Sequence, residues 1–207
     1  VDAALDEVNV EKFCKIMKII KSETNTKFLI ITHHKTTMAM VDKVYGIFKA
    51  YLTRVGEGPF PTELENTVGK KIRDLGKEYG ATTGRPRRCG WFDLVAANYS
   101  ILTNGITDIV LTKLDILDHF KEIKLCVGYK YKNKEIRHLS RVLHVLNEVE
   151  PVYKIFAGWN EDTSQIRTFN ELPSNASDYL TFISEFLNTP ISITSVGPER
   201  DQLIFSN

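Results

Sequence analysis

Apolar residues along this chain alternate between two periods, and the switches between them divide it into helices and strands. After Asn9, a residue suited to cap a helix N-terminus, Val10, Phe13, Cys14, Met17 and Ile20 recur at three- and four-residue spacing, with Glu11, Lys12, Lys15 and Lys18 between them. This spacing predicts an amphipathic helix, ended by the polar run from Ser22 to Thr26. Lys27-Phe28-Leu29-Ile30-Ile31-Thr32 is a continuous run of strand length, the pattern of a strand covered on both faces, and His33 and His34 follow it. A second amphipathic stretch carries Met38, Met40 and Val41, and Val44-Tyr45-Gly46 begins another strand. Phe48 to Val55 alternates as one strand, followed by a turn-rich Gly56-Glu57-Gly58-Pro59-Phe60-Pro61 segment.

Glu65 to Tyr79 reads as a charged surface helix ending at Gly80. Asp93 to Leu102 reads as a further helix, and Thr107 to Thr112 as a buried strand. Leu125 to Tyr131 forms a strand entering a turn at Asn133, and Glu150 to Trp159 is extended. Ser174 to Leu187 is an amphipathic helix, and the last strand places Ile191, Ile193 and Ser195 on one face. Buried strands alternating with amphipathic helices indicate an α/β fold around a mainly parallel sheet.

Composition narrows the function classes. A formal charge of +1 gives no general attraction to nucleic acid or membrane surfaces. No apolar run is long enough to span a bilayer, and no signal peptide is recognisable. Cys14, Cys89 and Cys126 are widely spaced, with no Cys-x-x-Cys, so neither a disulfide framework nor a zinc site is expected, and a reducing cytoplasm fits. His119, His138 and His144 show no metal-ligand spacing. The chain opens Val1-Asp2-Ala3-Ala4-Leu5-Asp6-Glu7 without Met and is expected to be an internal piece of something longer.

Candidate chemistry centres on Gly80-Ala81-Thr82-Thr83-Gly84-Arg85-Pro86-Arg87-Arg88. Threonine hydroxyls, backbone N–H groups and arginine forks all hydrogen-bond carboxylate or phosphate oxygens, and glycine lets a backbone approach a ligand. Trp91 and Phe92 would anchor this loop to a core, so it is expected to bind anions. A second candidate is Thr112-Lys113-Leu114-Asp115 at the carboxyl end of a buried strand, where ligands gather in open α/β sheets. A carboxylate there can accept both N1–H and the exocyclic N2–H₂ of guanine. Val196-Gly197-Pro198-Glu199-Arg200, after the last strand, is a backbone-exposing turn of the kind that closes over a base.

Two resemblances follow. Val1 to Asp6, then Ile30-Ile31-Thr32-His33-His34-Lys35 and Thr37-Met38-Ala39, resemble the end of a structural-maintenance-of-chromosomes ATPase head over residues 1–46. That resemblance makes Asp6 the D-loop aspartate and His33 the switch histidine that senses the ATP γ-phosphate. The elements that precede these in that family, including its phosphate loop and acidic pair, are absent, so no ATP hydrolysis is expected.

Over residues 47–207, Arg54-Val55-Gly56-Glu57-Gly58-Pro59-Phe60-Pro61-Thr62-Glu63, the 81–93 loop, Leu111 to Asp115, Lys121 to Val127, Glu150 to Tyr153 and Ser195 to Arg200 resemble, in order, the C-terminal part of the adenylosuccinate synthetase family. Pro86 departs from that pattern, at a position where a basic residue is frequent. The resemblance implies GTP-dependent ligation of IMP and L-aspartate, the step leading from IMP toward AMP, with Mg²⁺ as cofactor and a cytoplasmic homodimer. It implies that Ala81, Thr82, Thr83, Gly84, Arg85 and Arg87 hold aspartate, with Arg85 and Val55 also contacting IMP. Arg87, Lys113, Leu114, Asp115, Ser195, Val196 and Gly197 would bind GTP. The fold implied is a partial sheet of the P-loop-NTPase-like type, incomplete at its N-terminal side, with exposed edges. The family's phosphate loop, general base and Mg²⁺ ligands belong to the half not found here, so the chain alone is expected to be inactive. The junction near residues 46–47 implies a fusion. The other readings are a guanine-nucleotide-binding module without turnover and a fragment of a chromosome-organising ATPase.

Overall fold

Strand β5 (Asp108–Thr112), with Asp108, Ile109 and Leu111 buried, is the strand around which the principal sheet is laid out. The computed structural model describes residues 6–206 apart from 25 and 33. In it β5 lies between β1 (Tyr45–Lys49) and β9 (Ile191–Ser195), parallel to both, and the short β10 (Leu203–Phe205) closes one edge antiparallel to β9. The register runs from Tyr45 opposite Asp108 to Lys49 opposite Thr112, and the β5–β9 ladder slips between Ile109 and Val110. The sheet is therefore mixed but mainly parallel, as the alternation of elements predicts.

A second sheet is built on β6 (Glu122–Tyr131), which pairs with β8 (Glu150–Ala157), β7 (Lys134–Ile136) and the two-residue β4 (Phe92–Asp93). The β6–β7 hairpin turns on Lys132 and Asn133, both at positive φ, as a tight hairpin requires. A separate antiparallel pair joins β2 (Leu52–Arg54) to β3 (Arg88–Gly90). One continuous core holds Ile109, Leu111, Ile123, Leu125 and Phe92 from these strands. Helix α5 (Ser174–Leu187) buries Ala176, Tyr179, Leu180, Ile183 and Leu187 against that core, one stripe at helical spacing. Each such aliphatic side chain contributes about 1.5–3 kcal/mol when fully buried. The Tyr179 hydroxyl donates to the Ala50 carbonyl at 2.9 Å, tying α5 to the bend after β1.

Several boundaries differ from the sequence expectations for local reasons. Helix α1 (Glu7–Glu23) is capped by Asp6, whose carboxylate accepts from the Asn9 N–H at 2.8 Å; Asn9 is thus inside the helix and not its cap. A short α2 (Lys35–Met38) follows. Residues 27–31 have no regular secondary structure, and Leu29 and Ile31 are 89% and 87% exposed. The expected two-sided burial is absent because no described strand covers this run. Phe48 to Val55 is two strands, because the fully buried Ala50 and Tyr51 bend the chain between β1 and β2. β1 begins at Tyr45, so its pairing with β5 runs across the junction expected near 46–47.

Helix α3 (Thr67–Gly76) is shorter than expected at both ends. Asn66 caps its start, and Lys77 stops it in the left-handed region at φ 52°, donating to the Arg73 carbonyl. Tyr79 then leaves to bridge Pro86. Helix α4 (Leu94–Asn104) is capped by Asp93 and stopped by Gly105 at φ 62°. No helix among the described residues is long and apolar enough to cross a membrane.

Gly158 marks where β8 leaves the second sheet, its N–H donating to the Lys121 carbonyl at 2.9 Å. A Cβ there would lie 1.6 Å from the Phe120 carbonyl oxygen, which is backbone and cannot move alone. Gly158→Ala should therefore lower the urea-unfolding free energy by about 1–3 kcal/mol. Leu102→Ala, at a 72% exposed position, should change it by less than about 0.5 kcal/mol.

Candidate functional site

Because β1, β5 and β9 are parallel, their carboxyl ends lie along one edge of the sheet. Lys49 ends β1, Lys113 follows β5, and Ser195 ends β9. The segment after α3 crosses this edge and places Glu78, 1% exposed, between the first two. Lys49 Nζ donates to both Glu78 oxygens at 2.8 and 2.9 Å, and Tyr51 Oη to Oε1 at 2.6 Å. Lys113 Nζ reaches Oε1 at 3.0 Å, and an Arg87 terminal nitrogen reaches Oε2 at 2.8 Å. Lys113 sits at φ 63°, and its ammonium also donates to the Gly76 carbonyl at 2.6 Å.

Burial would raise the Glu78 pKa, but the hydrogen bonds from Lys49, Tyr51 and Lys113, with the Lys49 charge, outweigh it and hold the carboxyl at about 2. The Tyr51 hydroxyl is pushed up, first by burial and then by its bond to Glu78. Three cations on one carboxylate leave the cluster with surplus positive charge, the condition for holding an anionic ligand.

The 81–87 loop rises from this cluster as a narrow hairpin. Gly80 N–H donates to the Arg85 carbonyl at 2.9 Å, Gly84 N–H to the Gly80 carbonyl at 2.8 Å, and Arg87 N–H to the Glu78 carbonyl at 2.9 Å. Gly84 takes φ 62°. Ala81, Thr82, Thr83, Gly84 and Arg85 are exposed, while Arg87 is folded back on Glu78. Arg73 Nε donates to the Arg87 carbonyl at 2.7 Å and steadies the base of the hairpin. Arg88 has a different job: it is paired with Glu63 and donates to the carbonyls of Gly56 and Gly58 at 3.2 and 2.9 Å. Of the three guanidiniums in the stretch, only Arg85 and Arg87 are therefore placed to meet a ligand.

On the far side of Lys113, Asp115 lies in a 3₁₀ segment, Leu114–His119, half-buried. Burial pushes its carboxyl up, against smaller downward pulls from its own backbone N–H and from Lys113. Leu114 and Val196 are fully buried, so their side chains belong to the core and only their backbones remain for a ligand. Ser195 Oγ donates to the Gly197 carbonyl at 2.9 Å, and Val196 N–H to the Gln202 carbonyl at 3.0 Å. A Cβ at Gly197 would fall 2.1 Å from the Gln202 amide oxygen, so any side chain there would have to displace the end of Gln202.

The structure brings Arg87 and Lys113 to one carboxylate and sets Asp115 two residues on. Val55 is 78% exposed, one residue beyond β2. Asp6 is taken up in capping α1, and His33 and residues 1–5 lie outside the described residues. Sequence reasoning missed Glu78, Lys49 and Tyr51. On the sequence Glu78 is one more charge in a stretch that reads as a surface helix, and no local pattern distinguishes it from Glu65 or Lys77. Among the described residues, no group of three or more His, Cys, Asp or Glu side chains could hold a metal ion. The Mg²⁺ implied by the family resemblance thus finds no donor set there. Two surface grooves, of about 450 and 870 Å³, lie elsewhere and include none of the cluster residues.

Glu78 ionises lower in the folded protein, at about 2, than its ordinary value of 4.5. The unfolded chain binds more protons between those values, so this contribution to stability is complete above pH 4.5 and is lost as pH falls toward 2. Urea unfolding across that window should show wild-type stability falling faster than that of Glu78→Gln, with the two curves converging near pH 2.

Comparison with known proteins identifies the family of the chain. Over residues 16–204 the chain matches the family described as adenylosuccinate synthetase. It is 50% identical over 164 residues to the adenylosuccinate synthetase of Thermodesulfovibrio yellowstonii, covering 79% of this chain and 39% of that protein. It is equally 50% identical over 167 residues to that of Komagataella phaffii, covering 81% and 39% respectively. A solved structure of fully ligated adenylosuccinate synthetase from Plasmodium falciparum matches with a TM-score of 0.74 at 43% identity, over 86% of this chain and 42% of that one. The chain spans about two fifths of the length of these curated relatives. By a family match through most of its length and by its fold, this chain belongs to the adenylosuccinate synthetase family.

Proposed function

We propose that this chain carries the aspartate loop and the guanine-reading elements of an enzyme that joins IMP and L-aspartate at the expense of GTP. The observation that carries the reading is the single sheet edge where Lys113, Arg87 and Asp115 gather around a cluster with surplus positive charge. In this reading Thr83, Arg85 and Arg87 grip the aspartate carboxylates through hydroxyl and guanidinium donors, and the exposed backbone of Ala81, Thr82 and Gly84 lets the ligand approach. Arg85 and Val55 contact IMP, and Arg87 reaches toward the GTP phosphates. Ionised Asp115 accepts N1–H and N2–H₂ of guanine, the Lys113 stem covers the ring, and the backbone at Ser195, Val196 and Gly197 closes over it.

The chemistry is a transfer followed by a displacement. The γ-phosphoryl of GTP passes to O6 of IMP, leaving GDP; the aspartate amine then attacks C6, and phosphate departs to give adenylosuccinate. Phosphorylation converts a poor leaving group into a good one. This chain's residues bind and orient; the phosphate loop and general base of that reaction belong to the part of the relatives it does not match. The chain by itself is therefore proposed to bind guanine nucleotide without turnover.

Calorimetric titration with GDP should show binding that Asp115→Ala weakens by about 1.5–3 kcal/mol, the value of a hydrogen bond to a charged group. Incubation of the chain alone with IMP, GTP and aspartate should yield no adenylosuccinate; its appearance would overturn the claim of inactivity.

Residues 1–46 are further proposed to be a chromosome-ATPase-head-like piece joined near residue 46. The high exposure of the apolar Leu29 and Ile31 supports this, and the family match from residue 16 weighs against it. Amplifying the transcript across the codons for Tyr45 to Phe48 should return one continuous product; two separate transcripts would dispose of the join.

A further inference from the structure

Glu78 touches no ligand in the reading above, yet two of the residues assigned to ligands are tied to it. Lys113 flanks the guanine reader, Arg87 stands at the base of the anion loop, and both donate to the same carboxylate. We infer that Glu78 is a positioning residue that sets Lys113 and Arg87 as one unit, so that the nucleotide and carboxylate subsites are aligned together. The inference rests on the ligand roles proposed for Lys113 and Arg87.

Glu78 is itself held from three directions. Its N–H donates to the Arg73 carbonyl at 2.9 Å, its carbonyl accepts from Arg87 N–H at 2.9 Å, and its side chain accepts from Tyr51 Oη at 2.6 Å. Gly76, two residues earlier, packs so closely on Tyr51 that a Cβ would meet the hydroxyl at 2.3 Å. The carboxylate is 1% exposed, whereas the side chains of Lys49, Arg87 and Lys113 are 28%, 33% and 36% exposed. The cations are thus gripped from the buried side and face solvent with whatever donors remain.

Counting those donors separates the three. An ammonium carries three N–H groups and a guanidinium five. Lys49 uses all three, on Thr53 Oγ1 and the two Glu78 oxygens, so it is a counter-charge with nothing left for a ligand. Lys113 uses two, on the Gly76 carbonyl and Glu78, leaving one. Arg87 commits one terminal N–H to Glu78 and keeps its other terminal N–H groups, while its Nε is buried without a hydrogen-bond partner among the described residues. Glu78 therefore orients two side chains that still have donors to offer, and Lys49 offsets its charge when they turn to a ligand. A carboxylate that served stability alone would not need to leave those donors outward.

The test uses the chain itself, with GDP as probe and side-chain NMR as a readout independent of ligand. Glu78→Gln keeps the shape but removes the charge. Binding of GDP should weaken at least about tenfold, the effect of losing a charge-assisted contact. In a Lys113→Met background, Glu78→Gln should cost clearly less affinity than it does alone, because part of its effect passes through Lys113. Additive losses in that cycle would overturn the inference, since general loosening adds and positioning does not. The Arg87 Nε–Hε resonance should be sharp in the wild type and broadened or lost in Glu78→Gln; an unchanged resonance would also overturn it. If the wild type fails to bind GDP, the proposed function falls, and the Arg87 resonance alone decides the positioning role. If Glu78→Gln fails to fold, Lys113→Met alone should shift the Arg87 resonance through the shared carboxylate, and no shift would be decisive against it.

Discussion

Taking a carboxylate out of water costs several kcal/mol unless charges and hydrogen bonds replace the lost solvent, and Glu78 is almost wholly buried. Its position is possible only because Lys49, Lys113, Arg87 and Tyr51 converge on it. Each comes from a different place: the end of β1, the turn after β5, the 81–87 loop, and the bend before β2. The requirement to satisfy one buried charge thus fixes where two strand ends and one loop stand relative to each other. Losing Glu78 would leave three cations crowded without their counter-charge, and losing one cation would leave the others to carry the burial cost.

The sheet supplies the frame for this. Parallel pairing of β1, β5 and β9 lines up three strand ends, and hairpin connections could not do so, because antiparallel neighbours end on opposite edges. The connections between parallel strands are long, and they contribute α3, the 81–87 loop and the second sheet. Trp91 and Phe92, directly after the loop, are buried in the core, so the exposed hairpin tip is anchored at its base while Ala81 to Arg85 stay open to solvent.

Much of this was legible in the order of residues. Elements with strong periodicity, such as α5 and β5, fall where the pattern puts them, because burial on one stripe or on both faces dictates it. The exposed 81–87 loop and the Lys113–Asp115 pair fall at turns, where the sequence concentrates its polar and charged residues. Boundaries set by capping were less so: Asp6 takes the cap because its carboxylate reaches Asn9 N–H, and α3 ends at Lys77 because the chain must turn in to bury Glu78. The apolar run at 27–31 shows the converse, since strand-like composition forms no strand among the described residues where nothing covers Leu29 and Ile31. Glu78 itself could not be read, because its significance lies in neighbours 29 and 35 positions away along the chain.

The central claim is that guanine nucleotide meets this chain at the carboxyl edge of the principal sheet. Backbone chemical-shift mapping of the ¹⁵N-labelled protein on addition of GDP tests it most directly. The account predicts perturbations concentrated at Lys113 to Asp115 and Ser195 to Gly197, with a weaker set from Glu78 to Arg87. Perturbations confined to the groove lined by Arg167, Phe169 and Phe205, or none at saturating nucleotide, would contradict it.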